Sequence, residues 1–309
     1  MGTIEISNLT RKFNGLTAVE NLTLSINEGE VFGLLGPNGA GKTTTVRVLC
    51  CLIGPSSGSA YIDGIEIGTD EAGSMIRSRI GLLPENPGLY ENLTASQNLR
   101  FYAEINSVPR SKIDDRIKEL LVMLDIWDDR NRQVGTFSKG MKQKIAIARA
   151  LVHDPKILFL DEPTAGLDPL ASKVVRDFIE ELSKEQRTFF INTHNLPEAE
   201  RLCDRVGILK RKLIAIGPPG ELASKLWRRR CLVKTSEPIA IDANDLKSIQ
   251  GIYSVKMEGN EITIETDDPD LRLPAIIARL VARGAQISFA GEIKKSLEDA
   301  YLEYVGASG

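Results

Sequence analysis

Chemistry concentrates first in Gly36-Pro37-Asn38-Gly39-Ala40-Gly41-Lys42-Thr43, with Thr44 following. Glycines let successive N–H groups turn inward around an anion, and a lysine adds a fixed positive charge. The spacing GxxxxGK[ST] is that of a loop that cradles a polyphosphate, in which Lys42 reaches the β- and γ-phosphates and Thr43 ligates Mg²⁺. A second concentration, Ile157-Leu158-Phe159-Leu160-Asp161-Glu162, ends an apolar run with two carboxylates. Ligand sites of open parallel sheets gather at such strand ends. Asp161 is expected in the Mg²⁺ shell, and Glu162 as the general base that polarises an attacking water. Alone, an apolar run ending in Asp-Glu is a strand meeting solvent; downstream of a phosphate loop it reads as part of a site.

These residues need elements to hold them. EVFGLLG (30 to 36) is a nearly continuous apolar run closed by glycine, and Val46, Leu49, Cys50 and Ile53 follow at helical spacing, so a buried strand, a glycine loop and a helix are predicted. Upstream, EISNLT and NLTLSI alternate apolar and polar residues around Asn14-Gly15, which predicts an antiparallel β subdomain. Residues 92 to 152 read as a helical insert. After Asp154-Pro155 the pattern runs strand (ILFLDE), helix (KVVRDFIEELSKE), strand (TFFINTH), helix (LPEAERLCD) and strand (VGILKRKL). That alternation calls for a parallel sheet with right-handed crossovers. The GPPGE turn at 217 to 221 ends it. Beyond lie strand (RCLVKT), helix (DANDLKSIQ), two strands (YSVKM, EITIET), helix (DLRLPAIIARLVARG) and strand (AQISFAGE), a β-α-β-β-α-β order, and then a terminal helix around Leu297, Tyr301 and Leu302.

Composition narrows the functional classes. In 309 residues, 39 Lys and Arg stand against 42 Asp and Glu, a net charge of -3, so no basic excess exists to track a phosphate backbone and nucleic acid is not an expected partner. From residue 216 onward 12 basic residues face 14 acidic ones, and 27 face 28 before it, so neither half is a basic module. Arg228 to Arg230 is expected as a solvated surface run. Four cysteines at 50, 51, 203 and 231, with no CxxC pair and two histidines, suggest neither zinc nor a disulfide framework, and fit a reducing cytosolic setting. No apolar stretch approaches the roughly 20 residues of a spanning helix, and the start MGTIEISNLTRKF lacks an apolar signal core. Any membrane role is expected to run through a partner.

Further motifs fall in order around these. Phe137-Ser138-Lys139-Gly140-Met141 ends 20 residues before Asp161, Thr164-Ala165-Gly166-Leu167-Asp168 follows Glu162, and His194 comes after TFFINT. Together with the phosphate loop and the strand-end carboxylates, they resemble the nucleotide-binding subunits of ABC transporters, in the ABC-2-type (drug and antibiotic export) branch. The signature usually reads Leu-Ser-Gly-Gly-Gln, so Ser138 and Gly140 match while Phe137, Lys139 and Met141 depart.

The resemblance implies an α/β P-loop ABC ATPase domain over 1–216, with a parallel sheet core, an antiparallel β subdomain and a helical subdomain at about 92–152. It implies a small accessory α+β domain over 217–309, on the strength of the tail SLEDAYLEYVG. It implies ATP and Mg²⁺, head-to-tail homodimerisation with each ATP between one phosphate loop and the other chain's signature, and separate transmembrane permease subunits. The chain would then be cytoplasmic, peripheral on the inner face of the cell membrane, powering export of its substrate. Gly36 through Thr44, Ser138, Gly140 and Asp168 would contact nucleotide, and His194 the γ-phosphate. Phe13, 23 residues before Gly36, would stack adenine, or serve as a core aromatic at a strand edge. Glu85 in GLLPEN stands where the family has a glutamine, and would touch Mg²⁺ or the attacking water, or be a surface-turn glutamate. A soluble ABC ATPase acting without a permease, in macromolecular assembly or repair, would share these motifs; the absence of a coiled-coil or basic insertion and of a second cassette speaks against it.

Overall fold

A computed structural model describes residues 2–86, 88–226, 228–238, 241–293 and 296–306. In chain order it contains β1 (Ile4–Phe13), β2 (Leu16–Ile26), β3 (Val31–Leu35), α1 (Lys42–Leu49), β4 (Ser57–Ile62), β5 (Ile65–Glu66), α2 (Asp70–Arg77) and β6 (Ile80–Leu83). There follow α3 (Ala95–Ile105), α4 (Arg110–Met123), α5 (Lys139–Leu151), β7 (Ile157–Asp161), α6 (Pro169–Ser183), β8 (Thr188–Asn192), α7 (Leu196–Leu202), β9 (Arg205–Lys210) and β10 (Lys212–Gly217). The last elements are α8 (Pro219–Leu226), β11 (Arg230–Thr235), α9 (Ala243–Lys247), β12 (Ile252–Glu258), β13 (Glu261–Thr266), α10 (Pro269–Ala282), β14 (Ile287–Ile293) and α11 (Leu297–Gly306). The chain forms two compact units, one of residues 2–219 with 304–306, the other of residues 220–303.

In the first unit a six-stranded sheet runs β10-β9-β3-β8-β7-β6. Strands β3, β7 and β8 are buried at every position, which is why they read as unbroken apolar runs. β3 pairs in parallel with β8 and β9, and β7 with β8 and β6, so the carboxyl ends of β3, β8 and β7 lie side by side. An antiparallel sheet, β2-β1-β4-β5, is continuous with the same core: Ile4, Ile6, Val19 and Leu24 share one cluster with Phe32, Val46, Phe159 and Phe190. Helices α3 to α5 form the insert, α3 opening on a capping box in which Thr94 and Gln97 exchange side-chain and backbone hydrogen bonds.

VGILKRKL, expected as one strand, is a hairpin. β9 and β10 pair antiparallel about Arg211, whose φ of 63° turns the chain without a glycine. The turn has a use: Arg211 N donates to the Ala40 carbonyl at 2.9 Å, clamping the phosphate loop from the side.

The second unit is a four-stranded antiparallel sheet, β12-β13-β11-β14. Alternate residues Cys231 and Val233 of β11 and Ile262 and Ile264 of β13 point to one face and pack with Leu246 of α9 and Ile276 and Leu280 of α10. The Arg228–Arg230 run lies at the surface as expected, and it is partnered there. Arg229 bonds Glu292 at 2.7 Å, Arg230 bonds Glu265 at 2.9 Å, and the Arg228 guanidinium lies 4.1 Å from the Tyr253 ring centroid. The adjacent strands β13 and β14 supply the two glutamates, which a linear reading does not reveal.

Candidate functional site

The loop after β3 is shaped by backbone crowding. A Cβ at Gly36 would meet the Leu209 carbonyl at 2.2 Å, and one at Gly41, where φ is 103°, would meet the Ala18 carbonyl at 2.3 Å. Both positions require glycine. No side chain caps α1 and its first turn holds no acid, so its leading N–H groups remain available to an anion. Lys42 Nζ curls over the loop and donates to the Gly36 carbonyl at 2.6 Å and that of Pro37 at 3.3 Å. Burial pulls the Lys42 ammonium below its ordinary pKa, while the Glu162 and Asp161 carboxylates oppose the shift.

Parallel register places Asp161 beside Asn192 at the ends of β7 and β8. Asn192 Nδ2 donates to Asp161 Oδ1 and lies 3.5 Å from Thr43 Oγ1, joining the two residues expected to hold Mg²⁺. Burial raises the Asp161 pKa; hydrogen bonds from Thr43 and Asn192 lower it, and the neighbouring Glu162 and Glu85 charges add to the rise. Thr43, Glu85, Asp161 and Glu162 line one cleft of about 330 Å³ with Phe13, Asn38, Lys42, Thr44 and Asn192.

The cleft suits Mg²⁺ with a polyphosphate. Its donors are hard oxygens, the buried Asn192 Oδ1 has no partner among the described residues, and there no three His, Cys, Asp or Glu converge as an all-protein metal cage. Mg²⁺ takes one or two carboxylates and completes its shell with phosphate oxygens and water.

Glu162 adopts a left-handed backbone, φ 52°, fixed by Glu162 N donating to the Asn192 carbonyl at 2.8 Å. His194 Nδ1 lies 2.7 Å from Glu162 Oε1, so the two meet, with the imidazole 66% exposed. Phe13 is 41% exposed and lines the cleft rather than the core, one ring face lying 4.4 Å beneath the Arg11 guanidinium. Glu85, just after β6, is exposed and also lines a smaller hollow with Thr43, Arg47 and Asp161.

Ser138, Gly140 and Asp168 do not line this cleft. They form a separate patch at two helix starts: Ser138 Oγ caps α5 by accepting from Met141 N at 3.2 Å, and Asp168 Oδ1 caps α6 by accepting from Ala171 N at 2.9 Å. A Cβ on Gly140 would sit 3.0 Å from that of Ala171, so the two starts abut. His153 lies elsewhere, its Nε2 held 3.0 Å from the Ile80 carbonyl.

Sequence reading missed Asn192, Thr193, Thr164 and Glu198 as members of the site. A polar residue closing a buried strand beside the Asp161 strand was the available signal for Asn192. Thr164 opens the motif that follows Glu162, but nothing local flags its bond to Glu198, 34 residues on.

Comparison with known proteins adds four findings. Residues 19–165 match the sequence family described as ABC transporter. The chain is 36% identical over 315 residues to the uncharacterized ABC transporter ATP-binding protein YhcH of Bacillus subtilis (strain 168), covering 98% of this chain and 96% of that one. It is 42% identical over 207 residues to the bacitracin transport ATP-binding protein BcrA of Bacillus licheniformis, covering 67% of this chain and 66% of that one. Among solved structures, a dimeric ATP-binding cassette in a post-hydrolysis state with ADP and Pi superposes with a TM-score of 0.65 at 28% identity, over 70% of this chain and 98% of that one.

Proposed function

This chain belongs to the ABC transporter ATP-binding proteins of the drug-export type and is an ATPase whose hydrolysis is coupled to transport; from that premise, we propose that it works as a head-to-tail pair driving export through a separate transmembrane permease. The observation that carries the reading is the convergence, at three neighbouring strand ends, of an uncapped helix start, Lys42, Thr43, Asp161 and the Glu162–His194 pair. Thr43 and Asp161 would hold Mg²⁺, which when bound neutralises charge on the β- and γ-phosphate oxygens. The loop N–H groups and Lys42 bind and orient the triphosphate. Lys42 exchanges its contacts with the Gly36 and Pro37 carbonyls for phosphate. Glu162 accepts the proton of the attacking water, and His194 holds the Glu162 carboxyl in place through Nδ1.

Pairing completes the site in this reading. The starts of α5 and α6, carrying Ser138, Gly140 and Asp168, lie outside the chain's own cleft and are free to face the γ-phosphate of a second copy. The dimeric cassette among the structural relatives supports this pairing. The bacitracin transport relative supports coupling of ATP binding to movement of a cargo. Among the described residues no helix is long and apolar enough to cross a membrane. The chain would then sit on the inner face of the membrane, residues 220–303 serving assembly rather than chemistry.

Purification from gently solubilised membranes tests the reading. A polytopic protein should copurify and raise ATP turnover. Full ATPase activity with no membrane protein bound in any mild detergent would overturn the permease assignment.

A further inference from the structure

Glu198 is 3% exposed, and Thr164, also buried, donates its hydroxyl to Glu198 Oε2 at 2.5 Å. Sequence position suggests another partner. Asn195 caps α7 and Glu198 stands at its third residue, the spacing at which a glutamate turns back to the N–H of the capping residue. Here that N–H is already taken: Asn195 N donates to Thr193 Oγ1 at 3.0 Å. The carboxyl is released toward Thr164 instead, while Glu198 N donates to Asn195 Oδ1 at 3.2 Å.

These bonds close a ring. Glu162 precedes Thr164 by two residues; Thr164 bonds Glu198; Glu198 is tied to Asn195 and Asn195 to Thr193; and Thr193 and His194 return to Glu162 at 3.5 and 2.7 Å. Inside the ring sits the left-handed backbone of Glu162, a conformation that persists only where its surroundings over-determine it. Burial pushes the Glu198 carboxyl above its ordinary pKa, with the Thr164 hydroxyl and the Arg176 charge opposing, and its Oε1 has no partner among the described residues. A carboxyl that only filled space here would be better replaced by an apolar side chain.

We propose that Glu198 is a positioning residue for hydrolysis: through Thr164 it fixes the segment carrying Glu162 against the turn carrying His194, holding the base and its partner in one geometry. The inference rests on the reading of Glu162 as the base. It makes Glu198 a determinant of the chemical step and not of nucleotide binding.

The test is steady-state ATP turnover by the full chain for Thr164→Val, Glu198→Leu, their double variant and Glu198→Gln. Thr164→Val, which keeps shape and deletes the hydroxyl donor, should lower kcat about 10-fold or more with KM within a few-fold, as expected for slight misplacement of a catalytic group. Glu198→Leu should do the same, and the double variant should be no worse than the poorer single one, because both delete one contact. Glu198→Gln keeps an oxygen for the Thr164 hydroxyl and should retain most activity. Wild-type kcat in Thr164→Val, multiplying losses in the double variant, or a Glu198→Gln as impaired as Glu198→Leu would each overturn the proposal. If Glu198→Leu fails to fold, judged by its melting curve, Thr164→Val decides alone. Glu162→Gln separates the two readings: a crippled Glu162→Gln beside a fully active Thr164→Val sinks this inference only, whereas a fully active Glu162→Gln sinks the base assignment beneath it.

Discussion

Of the helix starts expected to contact nucleotide, those of α1 and α5 are finished differently. α1 begins at the phosphate loop with no side-chain cap, whereas α5 begins under Ser138, whose hydroxyl satisfies Met141 N. The first is open to an anion within one chain; the second already has one of its leading N–H groups taken by Ser138, and in the proposed pairing it meets a phosphate that a second copy brings. Binding and pairing are thereby separable properties of one sequence, and substitutions should split them.

Lys42→Ala should hit the open start hardest, losing about 10-fold or more in ATP affinity with its charge-assisted contacts; isothermal titration with unchanged affinity would break the comparison at its root. Glu162→Gln should keep ATP binding and cut steady-state turnover by about 100-fold. Gly140→Asp should leave monomer binding intact and abolish ATP-induced dimers seen by gel filtration, since it sets a carboxylate against a phosphate. Gly140→Ala is the control for crowding against Ala171, and mixing Gly140→Asp with Lys42→Ala chains should restore one complete site per pair. A mixture that never dimerises with ATP would remove support for the head-to-tail arrangement.

Smaller effects sharpen the edges. Glu85→Gln removes one of the negative charges that raise the Asp161 pKa, so the Mg²⁺ concentration for half-maximal activity should shift by a few-fold. An unmoved Mg²⁺ titration returns Glu85 to a surface turn. Ending the chain at Gly217 should change ATP affinity least, within a few-fold, because every residue lining the cleft precedes that point. Loss of nucleotide binding in that truncation would refute the separation of chemistry from the tail.

What could be read ahead of the structure was what is local. Gly36 to Thr43 and Leu160-Asp161-Glu162 each place their chemistry within one turn of chain, and buried parallel strands announce themselves as apolar runs. The hairpin at Arg211 was hidden because a charged residue, not glycine or asparagine, takes the left-handed turn. Asn192, the Arg229–Glu292 pair and the Thr164–Glu198 bond arise from register and packing between segments 31 to 63 residues apart, which no periodicity encodes.

The order of the central sheet sets a scale of its own. β8 stands between β3, which delivers the phosphate loop, and β7, which delivers Glu162, so these two strands are two spacings apart, about 9.5 Å. That interval is metered by backbone hydrogen bonds of a buried strand and not by any loop, so no surface substitution can retune it. The reach from the phosphate loop to Glu162 is therefore a property of the sheet itself, and tuning of this site has to be written into the side chains and loops at the strand ends.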